Sequence, residues 1–253
     1  MTFALYGLAP SSGLHENKEQ DTLYKLNLAY MPEENQTWYA TISEGFRRGG
    51  INAVPTEGTF IEEEGWVPFT SDKVLNYEFG RKGITENNVY YNLSFYKVIW
   101  KDPQLNTDTP NYSFYAVING DEAKTQGIDI ELKGTIGKLD WDFGYARNKS
   151  ELTGDLFTPA STPLLYAPNG TSLPGTPENM LNAGVAYTSY FNNGWGIVHR
   201  GNLYHQSDMK NHLSTSQSYN QDLESFSIVD LSSTLFNDDM YIMIMMMLML
   251  LLM

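Results

Sequence analysis

Arg47 and Arg48 stand side by side where an alternating segment that begins at Thr37 gives way to a glycine-rich stretch. Two adjacent guanidinium groups offer forked donors suited to an anionic ligand or a phosphate. Further on, Glu57 and the run Glu62, Glu63 and Glu64 form a cluster of the opposite sign. Such a run suits a cation or a cationic ligand, although the expectation here is a solvated loop tip. Four histidines complete the set: His15, His199, His205 and His212. His205 and His212 share one polar stretch and are expected to be polar surface rather than a metal site. The His-Glu-Asn at His15 lacks the second histidine of HExxH, and no GxGxxG, phosphate-binding loop or GxSxG is present. These residues predict no catalytic set, no resident cofactor and no metal centre.

Charge narrows the partners. With 30 acidic against 16 basic residues the chain carries a net charge of −14, too little positive charge to neutralise nucleic-acid phosphates. There is no cysteine, hence no disulfide and no thiolate nucleophile. The first ten residues carry no basic group ahead of an apolar core, so no export signal is expected in the chain as written.

The elements that must position these residues alternate with a period of two. In VYYNLSFYKVIWK, Val89, Tyr91, Leu93, Phe95 and Ile99 take one face, and Asn88, Asn92, Ser94 and Tyr96 take the other. VLNYEFGRKG does the same, with Leu75, Tyr77 and Phe79 opposing Asn76, Glu78 and Gly80, and ITENN joins the two as a tight turn. Strands of this length are long enough to cross a bilayer when tilted. A second hairpin precedes them, Thr22 to Met31 and TWYATISEGF, turned at Pro32 to Gln36. Later arms are Phe114 to Ile136, LDWDFGYARNKS, Glu178 to Tyr190, Trp195 to Tyr204 and Phe226 to Phe236, with Phe3 to Leu8 as a further strand end. Short turns alternate with long connections, Arg47 to Lys73, Asp102 to about Tyr112, Leu152 to Pro177 and His205 to Glu224. That rhythm belongs to outer-membrane barrels, and connections this long are normally functional or disordered. Trp38, Trp141 and Trp195 follow short turns, with Tyr90 and Tyr241 in similar places, so an interfacial aromatic girdle is expected there, with Trp100 at the opposite end of its strand.

Five stretches carry a resemblance. YATISEGFRRGGIN, LNYEFGRKG, NVYYNLSFYKVIWKDPQ, AKTQGIDIELKG and PGTPENMLNAGVAYT resemble, in order and spacing, the barrel half of TonB-dependent outer-membrane receptors, from about Thr22 to Phe236. The resemblance implies an all-β, antiparallel, up-and-down transmembrane barrel segment of about 10 to 12 strands, incomplete relative to a 22-stranded barrel. It further implies active import of a scarce ligand (a siderophore-iron complex, cobalamin or a glycan) across the outer membrane of a Gram-negative bacterium. Its partners are then outer-membrane lipid and lipopolysaccharide, the small-molecule ligand, and the TonB complex, which acts through a plug domain expected to be absent from this chain. Arg47 and Arg48 become candidates at the rim for an anionic siderophore or a lipopolysaccharide phosphate.

On that basis Asn76, Glu78, Asn92, Ser94, Asp129 and Glu131 line the lumen, while Tyr91, Leu93, Phe95, Ile128 and Ile130 meet lipid. Arginine at Leu93 is then expected to cost about 2 to 4 kcal/mol and arginine at Asn92 little. An open sheet leaves unpaired edges that lipid does not tolerate, so the piece is not expected to be a stable transporter alone. Two other readings compete: a passive porin without energy coupling, and a soluble β-sandwich that binds carbohydrate. The chain divides at about residue 239; the tail from 240 to 253, MYIMIMMMLMLLLM, has neither alternation nor a polar face and is expected to be an artefact of the reading frame or a hydrophobic terminal strand.

Overall fold

A strand that is apolar on one side and polar on the other pairs only in the register that keeps like sides together. The computed structural model describes residues 20–214 and 220–251. Ten long strands in it obey that rule: β1 (Lys25–Glu33), β2 (Gln36–Arg47), β3 (Asp72–Ile84), β4 (Tyr90–Lys101), β5 (Glu122–Ile136), β6 (Leu139–Leu152), β7 (Asn179–Tyr190), β8 (Gly196–Gln206), β9 (Phe226–Phe236) and β10 (Tyr241–Leu251). Each pairs antiparallel with the next in chain order, leaving β1 and β10 as the edges of one ten-stranded sheet. The count falls within the expected range, and no second large sheet packs on the first among the described residues, as a sandwich would require. The segment Phe3 to Leu8 and His15 lie outside the described residues.

Register carries more information than strand count. The cross-strand row through Trp38 continues through Arg81, Leu93, Ile130, Tyr145, Leu181, His205 and Ser227. Trp38 lies near the short-turn end of β2, whereas Ser227 lies at the long-connection end of β9. The row therefore climbs across the sheet, the stagger that strands accumulate when they tilt around a barrel axis. Alternation along these registers puts Asn76, Glu78, Asn92, Ser94, Asp129 and Glu131 on one face, and Tyr91, Leu93, Phe95, Ile128 and Ile130 on the other. On the apolar face, large side chains such as Phe79 and Phe95 are about half exposed. Leu93 lies next to Arg81, close to the short-turn end of β4, so the middle of the apolar face is better represented by Ile130.

The girdle assignment needs correction in part. Trp38 and Trp141 lie on the apolar face as expected, but Tyr90 falls on the polar face, where Lys133 Nζ sits 5.8 Å from its ring centre. Trp100 is also on the polar face, where its indole donates to Asp72.

On the polar face two tyrosine rings lie flat over glycines. A Cβ at Gly80 would meet the Tyr39 ring at 2.4 Å, and one at Gly127 would meet the Arg147 carbonyl at 2.3 Å and the Tyr96 hydroxyl at 2.5 Å. Tyr39 from this position donates to Glu78 at 2.9 Å. Valine at Gly127 should displace Tyr96 and strain a backbone that cannot retreat, destabilising the protein by about 1 to 3 kcal/mol. A denaturant midpoint in lipid vesicles unchanged from wild type would rule out this packing role.

The short turns at Glu34–Asn35, 85–89, Gly137–Lys138, 191–195 and 237–240 all lie at one end of the sheet. Gly137 adopts φ 63° at the first central position of its turn, a conformation that suits glycine. The four long connections lie at the other end, and each contains its own small ladder. Gly50–Ile51 pairs with Pro68–Phe69, Gln104–Asp108 with Tyr115–Asn119, Leu156–Phe157 with Leu165–Ala167, and Met209–Lys210 with Asp222–Leu223. The buried core of the chain is here. Val54, Trp66, Val67, Leu105, Ala116, Ile118, Leu156, Tyr166, Ala167, Leu173 and Leu213 cluster above the strands and close on Ala123 and Leu152 at the strand ends. A sheet with no layer beneath it must find its tightly packed core elsewhere, and the loops supply it.

The tail forms β10, paired residue for residue with β9 from Phe236↔Tyr241 to Phe226↔Leu251. Unlike its neighbours it is apolar on both faces, with Tyr241 and Ile244 each 74% exposed.

Candidate functional site

The candidate site is the rim where the strands meet the cap of folded connections. In the β2–β3 hairpin Arg47 falls opposite Asp72. The Arg47 guanidinium chelates the Asp72 carboxylate, with Nε 2.9 Å from Oδ2 and Nη2 closer still, and stacks 4.9 Å above the Trp100 ring. Trp100 Nε1 donates to the same carboxylate at 2.8 Å and the Gln104 amide at 3.2 Å. Gln104 then donates through Nε2 to the carbonyls of Arg48 and Thr70, tying the first two long connections to the rim. Burial pushes the Asp72 carboxyl up, but the bonds from Arg47, Trp100 and the Gln104 amide outweigh it and hold the group below the ordinary carboxylate range. Arg47 is thus engaged in structure, whereas Arg48 is exposed and meets no carboxylate among the described residues. The two arginines stand at the rim but do not act as a pair.

Above the rim, Glu62 overturns the expectation of a solvated tip. It is 3% exposed and accepts from Thr109 Oγ1 at 2.6 Å, Asn111 Nδ2 at 3.0 Å and the Tyr112 amide at 3.1 Å. Glu63 accepts from the Ser161 amide at 2.6 Å, and Glu64 opens a turn of 3-10 helix; Glu57 is exposed. Glu62 and Glu63 therefore spend their charge on hydrogen bonds within the cap. Asn52 performs a parallel role, donating to the carbonyls of Trp66 at 2.8 Å and Val117 at 2.7 Å while accepting from the Val117 amide at 2.8 Å. Alanine at Asn52 should leave these buried backbone groups unpaired and destabilise the cap by about 1 to 3 kcal/mol. Amide exchange at Val117 as slow as in wild type would exclude that role.

The three histidines among the described residues do not converge. His199 Nδ1 lies 2.8 Å from Ser233 Oγ and His205 Nδ1 2.9 Å from Ser227 Oγ, both on the apolar face of the sheet. His205 is therefore a strand residue, not a loop neighbour of His212. His212 packs within the cap, 3.3 Å from the Tyr166 hydroxyl and 3.6 Å from Asp108, so it does have an acidic neighbour.

Two recesses open on the polar face. One of about 380 Å³ lies just beneath the Arg47–Asp72 clamp, walled by Gly45, Val74, Val98, Trp100, Ala123 and Thr125. The other, about 750 Å³, lies towards the short turns and is lined by Glu131, Lys133, Asp140, Asp142, Arg200 and Asn202 among others. The first is an apolar recess under the rim, and the second is a polar trough of mixed charge. Asp72 was not within reach of the sequence, because the long connection between β2 and β3 leaves its register against Arg47 unspecified. Asn52 gave no sequence signal and the acidic run gave no sign that Glu62 is buried, since Val117 and Thr109 to Tyr112 lie in another connection.

Residues 6–238 match the family model for the TonB dependent receptor-like β-barrel. The chain belongs to the TonB-dependent receptor family. Among curated proteins it is similar to the pesticin receptor of Yersinia enterocolitica, 27% identical over 141 residues, and to that of Yersinia pestis, 26% identical over the same length. These alignments cover 55% of this chain and 20% of each relative, so the chain spans about a fifth of the length of the relatives it matches. Among solved structures it resembles the ferric yersiniabactin uptake receptor of Yersinia pestis, with a TM-score of 0.60 and 21% identity over 83% of this chain and 29% of that one. It also resembles the siderophore receptor PiuA of Acinetobacter baumannii, with a TM-score of 0.61 and 17% identity over 86% and 29%. The barrel-wall fold expected from alternation is thus the fold of this receptor family, present here as an open ten-stranded sheet.

Proposed function

We propose that this TonB-dependent receptor chain forms part of the wall and outer rim of a transport protein in the outer membrane of a Gram-negative bacterium. The protein imports a scarce ligand and performs no catalysis. The single observation that carries this reading is a staggered sheet, apolar on one face and polar on the other, whose long connections fold into a cap at one end only. From Ile128 to Ile136 the apolar face extends about 27 Å along β5 at about 3.4 Å per residue, or about 20 Å once tilted, comparable with the apolar band of an outer-membrane barrel. Lipid then meets the apolar face, the polar face lines the lumen, short turns face the periplasm and the cap faces outward.

A ferric siderophore is the ligand class best supported, ahead of cobalamin or a glycan, because the solved structures named above are a ferric yersiniabactin uptake receptor and a siderophore receptor. An anionic complex reaching the rim meets Arg48, while Arg47 keeps the clamp closed. The TonB complex, acting through a plug domain, supplies the energy. The receptor-like part runs to about residue 239, and the Met-rich tail is a hydrophobic terminal strand paired to it.

The test is uptake of radiolabelled ferric siderophore by cells producing the protein as its gene encodes it, with and without a protonophore. Accumulation abolished by the protonophore is the expected result. Uptake that continues unchanged without the proton gradient identifies a passive pore, and no uptake of any siderophore removes the ligand assignment.

A further inference from the structure

Arg81 breaks the pattern of its strand. It lies on the apolar face between Phe79 and Gly83, near the short-turn end, where the other described strands place aliphatic, aromatic or uncharged polar groups and histidine but no arginine or lysine. Its guanidinium stands 4.8 Å above the Trp38 ring and 5.2 Å from the Tyr91 ring, and Nη2 donates to Gln36 Oε1 at 2.6 Å. No carboxylate pairs with it among the described residues, and its Nε is enclosed without a hydrogen-bond partner. Gly83 makes room for this arrangement: a Cβ there would meet the Tyr91 hydroxyl at 2.9 Å. Two rings and an amide oxygen hold the cation in one place and leave its charge uncompensated.

We propose that Arg81, braced between Trp38 and Tyr91, binds the phosphate of a phospholipid in the periplasmic leaflet. This rests on the reading of the chain as an outer-membrane wall with its short turns in the periplasm. Arg81 is three residues from the end of β3 at Ile84, a height of about 8 Å for a strand tilted near 40°. The side chain runs from there towards the short turns, to Gln36 at the start of β2 and Tyr91 at the start of β4, and so carries the guanidinium towards the boundary that headgroups and aromatic residues occupy. A guanidinium presents forked donors to a phosphate, and the stacked rings fix the fork in advance, so little side-chain freedom is lost on binding. An arginine exposed to lipid tails without such a partner is unfavourable, and a phosphate removes that conflict.

Lipid retention measured by native mass spectrometry tests the assignment, using the protein as its gene encodes it. It would be extracted from bilayers of phosphatidylethanolamine and phosphatidylglycerol, and in parallel from bilayers enriched in a phosphate-free galactolipid. The wild type should keep a phospholipid through mild detergent, R81Q should keep roughly tenfold less, and R81K should fall between them, because an ammonium lacks the fork. R147Q, which alters a cation at the opposite end of the sheet, should match the wild type. Equal retention by R81Q and wild type overturns the proposal, as does galactolipid held as well as phospholipid. Heat-modifiable gel migration separates the two levels of inference. If the wild type does not insert, the outer-membrane reading itself fails; if all variants insert and retention ignores Arg81, only the phosphate site fails.

Discussion

Arginine at Ile130 is expected to destabilise the inserted protein by about 2 to 4 kcal/mol, whereas arginine at Asn92 is expected to cost little. Ile130 sits on the apolar face with Leu93 on one side and Tyr145 on the other, well away from both ends of β5. A guanidinium there cannot reach water or a headgroup without distorting the bilayer. Asn92 lies on the polar face between Lys82 and Glu131, and its side-chain oxygen is already buried without a partner, so an arginine can turn into the lumen towards Glu131. Denaturant unfolding from lipid vesicles measures both costs. Equal losses at the two positions would overturn the assignment of the faces.

Alanine at Asp72 is the second large perturbation, expected to loosen the cap by about 2 to 4 kcal/mol. The side chain is 1% exposed and accepts from the Arg47 amide and guanidinium, the Trp100 indole and the Gln104 amide, so its removal strands four donor groups together. Arg47 is half in water, which keeps the loss below that of a fully buried ion pair. Hydrogen exchange should speed up in 48–71 and 102–121 and remain slow in the middle of the strands. The depressed pKa adds a signature in pH. Because the folded-state pKa of Asp72 lies below its unfolded value, its contribution is complete above about pH 4 and declines as pH falls through the lowered folded value. Asparagine at this position should remove that acid-range dependence of cap opening. A cap that opens with the same pH profile in both proteins would mean that another group governs it.

These two experiments probe different sources of order. The wall depends on which side of each strand meets lipid, a property of every second residue. The cap depends on a few polar side chains that staple separate connections together. Glu62, Asn52 and Asp72 each hold groups more than ten residues away in sequence, and the apolar cluster around Trp66 closes over them. A ligand arriving from outside would therefore meet an ordered surface, with Arg48 exposed upon it.

The antiparallel wall was legible in the sequence because side-chain alternation is a local consequence of the extended backbone. VYYNLSFYKVIWK carries its two faces without help from any neighbour. Turn residues such as Gly137 marked the short ends equally locally. The same locality limited the reading. Charged residues on the apolar face, Arg81 above all, interrupt the alternation, and only their placement beside Trp38 and Tyr91 gives them a role. The run from Glu62 to Glu64 has the composition of a solvated tip, yet Glu62 is buried by residues Thr109 to Tyr112 of another connection. Sequence by itself determined the strands, their faces and the alternation of short and long connections, since each depends on neighbours along the chain. Tertiary structure alone decided where the core lies, which arginine is clamped and which is exposed, because those depend on contacts between segments whose spacing in sequence carries no record of their meeting.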